Sequence, residues 1–139
     1  MNFYNWDEKF SVGIRDFDEH HKELIDLLNE VYKKVFQCED IDEERILTQK
    51  TLSNLLEYTK YHFTAEEALM KELDYPEYEE HKGKHDYYIN EIDNIVQDHK
   101  KGGVALSFTV FMMLKEWIMV HILVEDKQYS QFFKENGIQ

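Results

Sequence analysis

The sequence is short of chain breakers: 139 residues hold five glycines and one proline. Few breakers beside abundant Leu, Glu, Lys and Met favour long helices over the closely spaced turns of a β-fold. The single cysteine, Cys38, cannot form an internal disulfide, and an idle thiol in a reducing compartment is expected. No run approaches the ~18 apolar residues of a membrane span. The first residues, from Met1 to Lys9, lack the basic and apolar regions of a secretory leader. A soluble cytoplasmic protein with no membrane insertion is therefore expected. Basic residues are in the minority, 16 Lys and Arg against 29 Asp and Glu, for a net charge of −13. That balance argues against nucleic acid and anionic membranes, whose phosphates need Lys/Arg patches. An acidic surface serves solubility first, although it also attracts cations. Low-complexity stretches, long linkers and internal repeats are absent too, and the length suits one domain with one core.

What is present is apolar periodicity at three- and four-residue steps, the signature of amphipathic helices. Residues 1–16 lack it; with Trp6, Phe10, Val12 and Ile14 they read as an extended arm packed on the rest. A first helix is expected over 18–37, with the stripe His21, Leu24, Leu28, Val31 and Val35. A second is expected over 42–73, with Leu52, Leu55, Thr59, His62, Glu66, Leu69 and Leu73. Pro76, tolerated in a helix's first turn, opens a third over 76–99, with Tyr78, His81, His85, Tyr88, Ile92 and Ile95. Lys100-Lys101-Gly102-Gly103 stops it, since cations suit a helix C-terminus and Gly takes the left-handed cap. A fourth covers 104–122, with Phe108, Phe111, Leu114, Ile118 and His121, and a short last helix covers 127–133. Short connections make the neighbours antiparallel, so the fold class is all-α: an up-down-up-down four-helix bundle with an N-terminal arm and a short C-terminal helix.

The polar residues carry the chemistry because of where they fall. His21, His62, Glu66, His81, His85 and His121 all occupy core positions of their stripes. A carboxylate there is expensive unless it is paired or coordinates a metal. One buried histidine is commonly just a satisfied hydrogen bond; five on four facing stripes, with a Glu among them, point to metal. Residues four apart share a helix face, so His81 with His85, and His62 with Glu66, can each grip one ion. Asp126 lies five residues after His121, about 140° further round an ideal helix. It reaches the same centre only if the fourth helix bends or ends, and a break is expected near 123–126.

Together the five histidines and two carboxylates exceed what one zinc site takes, about four ligands. They suit two ions with shared carboxylates. By ligand type the ions are Zn, Fe, Cu or Ni, and poor candidates are Mg²⁺ and Ca²⁺. The Glu-x-x-His pair of ferritin-like di-iron proteins does not occur in this sequence. With a bridging hydroxide or oxide, and the bridge and both carboxylates counted at both metals, the set fills two octahedra but for one position. Lesser candidates surround it. Glu67 points away from the bridge position towards a solvated or supporting role, His99 answers a helix dipole, Tyr58 and Tyr88 pack or donate to the ligands, and Trp117 packs. Glu39 to Glu44 reads as an exposed acidic loop and helix start.

Several segments together resemble the hemerythrin family, in its bacterial form. They are Trp6 and Val12-Gly13-Ile14; Asp18-Glu19-His20-His21-Lys22; His62-Phe63-Thr64-Ala65-Glu66-Glu67 with Met70; Tyr75-Pro76; His81-x-x-x-His85; Trp117-x-x-x-His121-Ile122; and Asp126. The one departure is His20, where the family usually has Gln; the stripe through Leu24 and Leu28 and the following Lys22 favour His21 as the ligand. The resemblance implies two iron ions bridged by an oxo or hydroxo group, Glu66 and Asp126. It implies one full iron held by His81, His85 and His121, and a second, held by His21 and His62, that keeps a vacant position for dioxygen. Leu24, Phe63, Ile118 and Ile122, close to ligands in sequence, then form an apolar oxygen pocket that protects against irreversible oxidation.

The function so implied is reversible dioxygen binding for carriage, storage or delivery, not enzymatic turnover. A di-iron redox enzyme or sensor handling peroxide or nitric oxide is the alternative. A chain of this length has no room for a sensor's output domain, and no proton-donating acid stands beside the vacant position in the sequence. A monomer serving an oxygen-consuming partner protein is expected.

Overall fold

The computed structural model describes residues 5–36, 41–101 and 108–138, and their side chains outside 34–45, 47, 108–110 and 122–123. Cys38, the Gly102-Gly103 stop, residues 104–107 of the fourth predicted helix and the Ile122 side chain lie outside the described residues. The described residues form five α-helices and no strand. These are α1 (Arg15–Phe36), α2 (Ile41–Glu72), α3 (Tyr78–Lys100), α4 (Phe108–Val120) and α5 (Asp126–Glu135). The first four make an antiparallel bundle in which α1 packs on α2 and α4, and α2 packs on α3. Among the described residues no helix is long and apolar enough to cross a membrane.

Helical phase sets what each rod buries. On α1, Leu24, Ile25, Leu28 and Val31 are buried; on α2, Leu52, Leu55 and Leu56; on α3, Ile92 and Val96; on α4, Phe111, Leu114 and Ile118. These side chains close one apolar cluster. Burying each such side chain contributes about 1.5–3 kcal/mol. A second cluster joins Val12, Ile14, Phe17, Met70, Tyr75, Tyr129 and Phe133. The candidate ligands fall between the two clusters: His21 between Phe17 and Leu24, His62 and Glu66 between Leu56 and Met70, His121 between Ile118 and Tyr129. This polar layer is thus flanked by hydrocarbon on both sides.

The arm is more structured than its lack of periodicity predicts. Glu8–Phe10 form a single 3₁₀ turn, with the Asp7 carboxylate accepting from the Lys9 N–H at 2.9 Å. Phe10 is buried in the first cluster, and Val12 and Ile14 in the second. Asp18 accepts from the Val12 N–H at 2.8 Å and the Ser11 hydroxyl at 2.6 Å, which ties the arm to the first turn of α1. Gly13 makes this path possible at φ +75°, a left-handed conformation that costs other residues roughly 1–2 kcal/mol. Residues 15 and 16, expected in the arm, open α1 instead, because the stripe already begins at Ile14 and Phe17.

Pro76 also differs from expectation: it stands in the turn before α3, which starts at Tyr78. The turn closes α2, with Asp74 at φ 56° and the Tyr75 N–H reaching back to the Met70 carbonyl at 2.9 Å. His99 is buried and not a surface answer to the helix dipole; its Nδ1 lies 2.9 Å from the Gln49 amide oxygen and links α3 to α2.

The break expected near 123–126 does not occur: the chain stays helical from α4 into α5 through a π-helical turn, His121–Glu125. The Asp126 N–H bonds to the His121 carbonyl, an i→i+5 link that adds one residue to the turn. The extra residue brings Asp126 round beneath His121, so no bend or interruption is needed. The last helix consequently starts at Asp126 and runs to Glu135, longer than the expected 127–133.

Candidate metal centre

Helices α1, α2, α3 and α5 and the π turn after α4 contribute to the polar layer. His21 comes from α1, His62 and Glu66 from α2, His81 and His85 from α3, His121 from the first residue of the π turn, and Asp126 from the first turn of α5. All seven are buried. Two five-residue groups result, each with ligand atoms within 4.8 Å of one another: His21, His62, Glu66, His121 and Asp126; and Glu66, His81, His85, His121 and Asp126. Glu66, His121 and Asp126 belong to both.

The distances are those of donors converging on common points. The His21 Nε2 lies 2.6 Å from the Asp126 Oδ2 and 3.1 Å from the His62 Nε2. The His62 Nε2 is 3.0 Å and the His121 Nε2 3.1 Å from the same Glu66 Oε1. The His81 Nε2 sits 3.4 Å from the Asp126 Oδ1, and the His85 Nε2 3.4 Å from the Glu66 Oε1. Imidazole nitrogens facing each other this closely need a proton or a cation between them. Four of the converging atoms, the Nε2 of His81 and of His85, the Glu66 Oε2 and the Asp126 Oδ1, are buried with no hydrogen-bond partner. Such orphans are costly, and a divalent cation is what five imidazoles and two carboxylates in this arrangement fit.

Protonation behaves accordingly. Burial alone would raise Glu66 and Asp126, and Asp126 raises Glu66 further, but the surrounding histidines hold both well below the usual carboxylate range. Burial lowers His62 and His121, yet the two carboxylates outweigh it and push both up, His121 strongly. His21 stays low because desolvation dominates its bond to Asp126. In the metal-free protein, protons on the imidazoles do part of the neutralising that a cation does.

Around this set sits a ring of supporting groups. The His85 Nδ1 lies 3.1 Å from Glu67, so Glu67 contacts a candidate ligand from outside. The Glu125 carboxylate lies 3.5 Å from the His121 Nδ1 and accepts from the Tyr88 hydroxyl at 2.8 Å. Sequence reasoning missed Glu125, although its i+4 spacing from His121 was a usable signal. The His20 Nδ1 stands 2.9 Å from the His62 Nδ1, which puts His20 beside the converging set and His21 within it. Tyr58 packs edge-on against the His20 ring.

A cavity of about 10 Å³, room for roughly one water-sized molecule, adjoins the layer. It is lined by Leu24, Thr59, Phe63, Tyr88, Ile92, Trp117, Ile118 and His121. Three of the four expected pocket residues, Leu24, Phe63 and Ile118, are among them. The Thr59 hydroxyl donates to the Leu55 carbonyl at 2.7 Å, and Tyr88 donates to Glu125, so both hydroxyl protons on the wall are spent elsewhere. The Phe63 ring stacks on His85 at 3.8 Å and tilts against His121 at 4.6 Å, which holds the wall against the ligands.

Residues 12–133 match the family model described as the hemerythrin HHE cation binding domain. The chain is 26% identical over 129 residues to the bacteriohemerythrin of Stenotrophomonas maltophilia (strain R551-3), covering 93% of this chain and 80% of that one. It is 28% identical over 127 residues to a hemerythrin-like protein of Naegleria gruberi, and 27% identical over 127 residues to the myohemerythrin of Sipunculus nudus, with 91% of each chain covered in both cases. A crystal structure of wild-type hemerythrin superposes with a TM-score of 0.84 at 22% identity, covering 93% of this chain and 96% of that one, and so shares the four-helix fold. On the match over 12–133, the chain belongs to the hemerythrin family.

Proposed function

We propose that this protein holds two iron ions and binds dioxygen reversibly, for carriage, storage or delivery. The observation that carries the reading is the pair of overlapping donor groups, sharing two buried carboxylates, beside a small apolar cavity. His81, His85 and His121 would hold one ion and His21 and His62 the other, with Glu66 and Asp126 shared between the two sets. That second ion would have one protein ligand fewer, which would leave room there for dioxygen. Two bound irons would supply the two electrons that reversible dioxygen binding requires. The chain does the rest: its imidazoles hold the metals, its two carboxylates offset their charge, and Leu24, Phe63 and Ile118 keep bulk water away. The Thr59 and Tyr88 hydroxyl protons on the cavity wall are already donated to the Leu55 carbonyl and to Glu125, which favours release over reduction. The proposal includes a cytoplasmic monomer that hands dioxygen to an oxygen-consuming protein, and the net charge of −13 helps keep copies apart.

The test is an optical spectrum of the iron-loaded, reduced protein before air, after air and after its removal, with iron quantified in the same sample. A reversible change at about two irons per chain is expected, since two donor groups are present. Iron far from that ratio, or steady consumption of peroxide or nitric oxide in place of a reversible spectrum, would overturn the reading. Ile118→Asn adds a second check. It puts an unpaired amide on the cavity wall, draws in water and accelerates irreversible oxidation of the air-exposed protein several-fold, as read from decay of the oxygenated spectrum. An unchanged decay would remove Ile118 from the wall that matters.

A further inference from the structure

We propose that His20, which is not one of the converging donors, is the positioning residue for His62: its Nδ1 lone pair accepts the His62 Nδ1–H and fixes that ring with Nε2 turned into the centre. The inference rests on the metal-centre reading and adds a residue to it. Consecutive residues on α1 point about 100° apart, so His21 enters the layer while His20 faces α2. There the two Nδ1 atoms stand 2.9 Å apart, with ring planes at 90° and centroids at 5.1 Å. One proton occupies that gap, and the other side of His62 says which ring owns it.

The His62 Nε2 lies 3.0 Å from the Glu66 Oε1, 3.1 Å from the His21 Nε2 and 3.3 Å from the Asp126 Oδ2, within the donor group. A ligating imidazole is neutral and unprotonated at the ligating nitrogen, so its one proton is on Nδ1. His20 must then present a lone pair at Nδ1 and keep its own proton on Nε2. A neutral His20 is what that lone pair requires, since a second ring proton would point Nδ1–H at Nδ1–H across 2.9 Å. Its ring is braced for the task by Phe17 at 5.7 Å and Tyr61 at 5.1 Å between centroids.

The choice of acceptor has a consequence. His85 and His121 are backed by the carboxylates of Glu67 and Glu125, whereas His62 is backed by a neutral ring. A carboxylate makes an imidazole a stronger donor than a neutral acceptor does. The His62 side of the centre is therefore the less electron-rich one, and its geometry depends on His20 alone among the described contacts of the His62 Nδ1.

Three proteins test this: wild type, His20→Leu, which removes the acceptor, and His20→Asn, whose amide oxygen replaces Nδ1. Anaerobic iron(II) titration is read beside nitrogen-15 NMR of the histidine rings in the metal-free chain. The leucine variant is expected to lose roughly 10–100-fold in affinity for one of the two ions, the usual cost of removing a ligand's hydrogen-bond partner. It should also lose the hydrogen-bonded downfield shift of the His62 Nδ1–H, while the asparagine variant retains both properties. Equal impairment of the two variants would assign His20 to packing and overturn the inference. So would a leucine variant that keeps both affinity and shift. Failure of the wild type to take up iron would bring down the metal-centre reading itself, an outcome distinct from the other two.

Discussion

Glu66→Ala should leave the centre almost without iron. Glu66 is buried, lies in both donor groups, and is approached by the Nε2 atoms of His62, His121 and His85 at 3.0, 3.1 and 3.4 Å. Truncating it removes one donor from each ion and half of the carboxylate charge that offsets them. Residues that merely support a ligand cost 10–100-fold in metal affinity when lost, so a shared ligand should exceed roughly a hundredfold. The metal-free protein should also weaken by about 3–5 kcal/mol, because His62 and His121 lose the partner that keeps them charged in the interior. Iron analysis after reconstitution reads the first effect and urea unfolding of the apoprotein the second. Glu66→Gln separates charge from volume: it refills the space without neutralising, so it should recover packing and not iron. Full iron content in the alanine variant would remove Glu66 from the centre.

Much of this was legible in the sequence because helical phase is written in side-chain spacing. His21 three residues before Leu24, His62 three after Thr59 and His121 three after Ile118 all fall on buried faces. The same rule read further would have placed His99, which follows Ile92 and Val96 at steps of four and three, inside the bundle and not at its surface. What spacing does not encode is backbone register. The five-residue step from His121 to Asp126 showed that an ideal helix fails there, but not that a π turn supplies the missing rotation. Nor does it give contacts between helices. Glu125 with Tyr88, and His20 with His62, become partners only when α3 meets the π turn and α1 meets α2. The arm was opaque for a related reason: Ser11 and Val12 are held by Asp18 through polar bonds that leave no apolar period behind.

Stability and metal affinity should respond to pH in opposite senses. In the metal-free protein Glu66 and Asp126 titrate below their ordinary values of 4.5 and 3.8, so the stability they contribute is present above those values and is lost as acid is taken below them. His21, also lowered, works in the same direction from its ordinary 6.5. His62 and His121 are raised above 6.5, so their contribution is complete below that pH and disappears as pH climbs through the raised values. The apoprotein should therefore be most stable in the mildly acidic range and lose stability towards both acid and base. Metal reverses the alkaline limb, since a cation takes over the neutralising done by the His62 and His121 protons. Binding displaces those protons, and where both are present the apparent affinity should rise by up to roughly a hundredfold per pH unit. The gap in unfolding midpoint between loaded and metal-free protein then widens from pH 6 to 8, as urea titrations of both forms would show. A gap that stays constant over that range would mean that the imidazoles of His62 and His121 do not exchange protons for metal, and that the ions, if bound, are held elsewhere.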